Sequence, residues 1–157
     1  MQIADLLSPD GVVAALKANG KKQLLQELSA RAASLIRLPE RRVYETLNER
    51  ERLGTTGVGQ GIAVPHGRLA DIEKITGVFA RLETPIEYEA VDGQPVDLVF
   101  MLLAPEGAGA DHLKALARVS RLLRNQSVCE KLRAAKSAEA LYAILTEPSV
   151  SAKSAAA

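Results

Sequence analysis

Leu98-Val99-Phe100-Met101-Leu102-Leu103-Ala104 is apolar at every position, and Pro105 closes the run. A strand with two apolar faces must be covered on both, so this segment predicts the central strand of a sheet lying between helices. Upstream, Gly77-Val78-Phe79-Ala80-Arg81-Leu82 alternates and puts Val78, Ala80 and Leu82 on one face. Ile86 and Tyr88 are placed to extend that strand beyond Pro85, and Asp92-Gly93 supplies a turn before the central strand.

Helical periodicity surrounds these strands. Leu24, Leu25, Leu28, Ala32, Leu35 and Ile36 share one stripe of a helix starting near Lys21. Pro39 suits the first turn of a further helix that runs to about Leu53, where Gly54 stops it. Ser8-Pro9-Asp10 reads as the entry to a short amphipathic helix carrying Val12, Val13 and Leu16, which makes the opening third all helical. After the central strand, the loop Glu106–Ala110 leads into a helix from about Asp111 to Arg124. Shorter helices are expected at Val128–Ala135 and Ala138–Leu145, the last capped by Ser137. The order helices, strands, helices predicts an α/β fold: a single domain, residues 1–147, with a mixed central β-sheet sandwiched between helical layers. Residues 148–157 are small and polar and are expected to form a disordered tail.

Composition narrows the function classes. At 157 residues the chain fits one domain. A formal charge of +1 gives no general pull toward nucleic acid or acidic membranes. Lys114, Arg118 and Arg121 form a basic stripe, but no aromatics interleave them, so a solvated face is expected. The single cysteine, Cys129, forms no internal disulfide, suits a reducing compartment and is expected to pack in the core. No 18-residue apolar run is present, so membrane insertion is not expected, and a cytoplasmic location is.

The chemistry concentrates in Gly54-Thr55-Thr56-Gly57-Val58-Gly59-Gln60-Gly61-Ile62-Ala63-Val64-Pro65-His66-Gly67-Arg68, which holds five of the eleven glycines and one of the two histidines. It lacks both the P-loop and the dinucleotide patterns. Ile62-Ala63-Val64 reads as a short strand ended by Pro65, which leaves His66 at its end. Arg50 falls at i+7 from Val43 and i+3 from Leu47 on an inward helix face, so its charge either snorkels outward, pairs with a carboxylate or meets an anion. His112 shares a stripe with Leu116, Val119 and Leu123 in the first turn of its helix, where the positive helix end disfavours an added proton. That helix follows the central strand, so if the His66 strand runs parallel beside it, the two histidines meet at one sheet edge.

Two histidines, an arginine and a glycine loop suit a phosphoryl group carried on an imidazole. Neutral histidine has one lone-pair nitrogen available near neutral pH and needs no separate strong base. Arg50 and His112, with the hydroxyls of Thr55 and Thr56 and the amides at Gly57 and Gly59, are the candidate phosphate contacts. Two histidines and a distant cysteine fall short of a zinc site, and no Gly-x-Ser-x-Gly elbow marks a serine hydrolase, so no metal and no cofactor is expected.

The run Arg50 to Gly67 resembles the active-site segment of the enzyme IIA domains of the mannitol/fructose class of the bacterial phosphotransferase system. Asp111-His112-Leu113-Lys114-Ala115-Leu116-Ala117 resembles that family's second-histidine helix. Leu82-Glu83-Thr84-Pro85-Ile86 and Gln94-Pro95-Val96-Asp97-Leu98 are most similar to its nitrogen-regulatory branch. The resemblance spans about Ile3 to Leu145. It implies that His66 accepts phosphate through Nε2 from an HPr-like carrier, with Arg50 and His112 contacting the phosphoryl group. It also implies regulatory protein targets, including potassium-transport or sensor proteins, that read the phosphorylation state. The competing expectations are a sugar-specific enzyme IIA serving a separate IIB, and a binding module that never carries phosphate.

Overall fold

The computed structural model describes residues 1–148. Two 3-10 turns, Ile3–Asp5 and Pro9–Gly11, lead into β1 (Val12–Leu16), followed by α1 (Lys21–Ile36) and α2 (Glu40–Arg52). Next come β2 (Gly57–Gly59), β3 (Ile62–Ala63), β4 (His66–Leu69), β5 (Thr76–Ile86) and β6 (Val96–Pro105). The chain continues through α3 (Gly109–Leu123), α4 (Gln126–Ala134) and α5 (Ala138–Leu145). The expected tail at 148–157 lies, apart from Pro148, outside the described residues. None of the described helices is long and apolar enough to cross a membrane.

The sheet runs β1-β5-β6-β3-β2, with β4 also paired to β6. It is mixed: β5 is antiparallel to β6 and β2 to β3, while β1–β5, β3–β6 and β4–β6 are parallel. Its centre is β6, and alternate residues of that strand serve two separate cores, as a wholly apolar strand requires. Val99, Met101 and Leu103 pack with Leu24, Leu25, Leu28, Val43 and Leu47 of α1 and α2. Leu98, Phe100, Leu102 and Ala104 pack with Ala115, Val119 and Leu123 of α3, Leu132 of α4, and Leu141 and Leu145 of α5. Phe79 of β5 meets Phe100 edge to face on that second side, at 6.2 Å between ring centres.

The N-terminal expectation is corrected. Val12 to Leu16 is not a helix but β1, parallel to β5 in the register Val12 with Phe79 and Val13 with Ala80. Five residues of apolar spacing fit either period, and here the β-branched pair and a free sheet edge favour the strand. β2 and β4 are likewise strands that local spacing does not predict. Their backbone groups find partners in Ala63, Ile62 and β6, a tertiary fact that the glycine-rich composition hides.

Candidate active site at the β4 edge

His66 begins a strand rather than ending one. The ladder to β6 runs through Ile62 and Ala63, lapses at Val64 and Pro65, and resumes at His66, opposite Leu102. Pro65 has no amide hydrogen to give to a ladder, so an interruption falls there. The Val64 carbonyl instead accepts the Nδ1–H of His66 at 2.8 Å. That bond fixes the ring tautomer and leaves Nε2 as the lone-pair nitrogen. The expected parallel pairing with the central strand is present, which is why the second histidine arrives nearby. The His66 and His112 rings stand 5.5 Å apart between centres, at 74°.

Strand alternation sorts the neighbours of His66. His66 and Arg68 pair with Leu102 and Ala104, on the α3 side of the sheet. Gly67 pairs with Leu103, on the α2 side, where an added Cβ would lie 2.5 Å from Cγ2 of Thr46. Gly67 therefore lets α2 lie directly on β4, and Arg50, one turn beyond Thr46, ends near the imidazole. Arg50 is half-buried, and its Nη1 donates to the Gly54 carbonyl at 2.8 Å, bracing the loop that follows its own helix.

Both rings resist protonation. Burial lowers the pKa of His66 below the usual 6.5, the Val64 carbonyl opposes that, and the charge of Arg50 lowers it further. His112 is only 4% exposed, and burial, then His66, then Arg68 lower its pKa too. Ala115 rather than Leu116 continues the fully buried stripe beneath His112, with Val119 and Leu123. The helix begins at Gly109, so the amide of His112 is already bonded to the Ala108 carbonyl at 2.8 Å.

The loop residues have structural partners of their own. Thr55 Oγ1 accepts the Gly57 amide at 3.1 Å. Thr56 is buried, its hydroxyl donating to Glu51 Oε1 and touching the Tyr88 hydroxyl at 3.0 Å, so it is committed within the fold. A Cβ on Gly57 would meet Ala90 and Tyr88 at 2.9 Å, and Gly59, with φ near +105°, faces Asp92. These contacts account for both glycines without a bound anion.

Four polar residues at or behind the site escaped the sequence reading. Glu51, 8% exposed, is the charged group that α2 truly buries. It takes the Thr56 amide at 3.2 Å, the Tyr88 hydroxyl at 2.9 Å and the Lys21 ammonium at 2.8 Å. Lys21 also sits 4.6 Å from the centre of the Tyr88 ring. The available signal was spacing, since Val43, Leu47 and Glu51 fall at i, i+4, i+8. The fourth, Arg68, donates from Nε to Nδ1 of His112 at 3.3 Å. Once β4 is known, its i+2 relation to His66 gives it away.

Fold and site together define a class: a sandwiched mixed sheet whose edge strand presents a tautomer-fixed histidine beside a second histidine and two arginines. Sequence comparison makes this specific. Residues 5–147 match the family model described as phosphoenolpyruvate-dependent sugar phosphotransferase system, EIIA 2. The chain belongs to that family and, within it, falls with the nitrogen-regulatory branch. A nitrogen regulatory protein of Bradyrhizobium diazoefficiens is 60% identical over 152 residues, covering 97% of this chain and 99% of the relative. One from Escherichia coli is 41% identical over 94% of this chain and 91% of its own length. The crystal structure of nitrogen regulatory protein IIA-Ntr from Neisseria meningitidis superposes with a TM-score of 0.87 at 39% identity, covering 92% of this chain and 99% of that one. Mannitol IIA of Escherichia coli shares the fold, with a TM-score of 0.75 at 21% identity, over 88% of this chain and 97% of that one.

Proposed function

We propose that the protein is a phosphoryl carrier in a phosphoenolpyruvate-driven relay: His66 accepts phosphate from an HPr-like carrier in the cytoplasm, and its phosphorylation state is read by regulatory target proteins. The observation that carries this is the bond from His66 Nδ1 to Val64, which leaves Nε2 as the nucleophile. The Nε2 lone pair attacks phosphorus, and the nitrogen–phosphorus bond of the donor phosphohistidine breaks with its electron pair returning to the donor ring. No proton need move, because Nδ1–H stays in place and the positive charge gained by the ring is eased by the Val64 carbonyl. Arg50 and His112 stabilise the phosphoryl oxygens. Thr55, Gly57 and Gly59 complete the proposed phosphate contacts, and Thr56 also fixes the loop through Glu51 and Tyr88.

Incubation with phosphoenolpyruvate, enzyme I and an HPr-type carrier, followed by intact mass, tests this. Wild type gains one acid-labile phosphate and His66→Ala none; a labelled His66→Ala protein removes the assignment. A second reading, a sugar-specific IIA feeding a separate IIB, draws on the fructose-specific EIIABC component of Bacillus subtilis, 34% identical over 94% of this chain and 23% of its own length. Under that reading, an added fructose-type IIB drains the label rapidly; under the regulatory one it persists.

A further inference from the structure

Resting on that reading, we infer that Arg68 is a positioning residue that holds His112 as the Nε2–H tautomer, so that the two rings carry opposite tautomers and divided roles. A guanidinium only donates hydrogen bonds. The Nδ1 of His112, 3.3 Å from Arg68 Nε, is therefore its lone-pair nitrogen, and the ring's proton sits on Nε2. His66 has the reverse arrangement, with Nδ1–H on Val64 and the lone pair on Nε2. One ring is a nucleophile and the other a neutral donor.

The donor is unfilled. Among the buried side-chain polar atoms described, Nε2 of His112 is the one with no hydrogen-bond partner. A buried donor without an acceptor opposes folding, so its retention calls for a state in which an acceptor is present. The ring next to it is His66, and the acceptor that the reaction brings there is a phosphoryl oxygen. Arg68 is placed to orient this donor through the opposite ring nitrogen. It lies on the α3 face of β4, and its Nη2 reaches the first turn of α3, 3.9 Å from where a Cβ on Gly109 would stand. The charged and titratable groups facing His112 are His66 and Arg68, both on β4, and Arg50 adds its charge at His66 from α2. His66 and Arg68 both disfavour a second proton on His112, and with Nδ1 held by Arg68 the ring presents Nε2–H as a hydrogen-bond donor.

The test uses the full chain with 15N-labelled histidine, without phosphate, and reads tautomer and titration from the ring nitrogen shifts. Wild type is expected to show Nδ1–H on His66 and Nε2–H on His112. In Arg68→Ala, His112 becomes a tautomer mixture titrating at higher pH, while His66 keeps its tautomer. Phosphoryl transfer from the carrier falls about tenfold, the scale of one misdirected hydrogen bond in the transition state. Arg68→Lys, which retains a cationic donor, restores the His112 tautomer and most of the rate. A wild-type His112 protonated on Nδ1 overturns the inference, as does an Arg68→Ala protein with wild-type tautomer and rate. Failure of wild-type transfer to His66 overturns the functional reading instead, and the spectra of unphosphorylated protein are read independently of it.

Discussion

At the scale of single residues, proton affinity determines when His66 can act. Burial and Arg50 push its pKa below 6.5, so the neutral ring predominates at neutral pH and is lost only as pH falls through that lowered midpoint. NMR titration is expected to place the His66 midpoint under 6.5, with the transfer rate flat above it and declining below. Arg50→Ala removes a depressing charge, so the midpoint should rise while transfer slows by about tenfold or more from loss of a phosphoryl contact. An unchanged midpoint would show that the guanidinium does not reach the ring. The neighbouring carboxylate, Glu51, acts in the other direction on His66, which is why removing Arg50 and removing Glu51 should move the titration oppositely.

At the scale of elements, the site depends on how closely α2 lies on β4. Thr46 is β-branched and its hydroxyl donates to the Arg42 carbonyl at 3.0 Å, so its methyl cannot swing aside from a Cβ introduced at position 67. Gly67→Ala is expected to lower stability by about 1–3 kcal/mol, as overpacking does, and to slow transfer by displacing Arg50. Thr46→Ala leaves the Thr46 backbone oxygen, 3.5 Å away, as the nearest remaining contact, so the double variant should recover part of the lost stability. Denaturant unfolding of the four proteins of that cycle checks it, and purely additive losses would refute the steric account. Far from the site, the Ser137 side chain caps α5 by accepting the Ala140 amide at 3.0 Å. Ser137→Ala should cost about 1 kcal/mol with no effect on transfer, a control separating stability from chemistry.

At the scale of the whole molecule, Glu51 joins three parts of the chain: Lys21 at the start of α1, Thr56 before β2, and Tyr88 beyond β5. Burial alone would raise its pKa, but the bonds from Lys21, Thr56 and Tyr88 outweigh that and lower it below 4.5. The sign follows from linkage: the unfolded state binds the proton more readily, so this stabilisation is complete above the unfolded carboxylate value. It is lost as pH falls through the lower folded value. Glu51→Gln leaves the Lys21 ammonium facing a neutral amide and should destabilise by about 3 kcal/mol near neutral pH. The deficit relative to wild type should shrink in acid, and a gap that is constant with pH would argue against ionised Glu51. Because the network ends at the loop beside Arg50, the same variant should also blur the site.

The sequence by itself determined the doubly apolar central strand and the helices of both covering layers, because each is written in contiguous or periodic residues. Leu98–Ala104 needs no partner to declare itself buried on both faces, and Ser137 announces its helix locally. The short edge strands β1, β2 and β4 were decided only by tertiary pairing, since five, three or four residues carry too little periodicity to outvote a glycine or an apolar run. The buried polar groups followed the same rule. Arg50 and His112 were visible as polar residues on apolar stripes, whereas Glu51 and Arg68 take their meaning from Tyr88 and His112, partners 37 and 44 residues away. A hydrogen bond across such a separation leaves no trace in local spacing, because it is created when the sheet brings distant strands and helices to one edge.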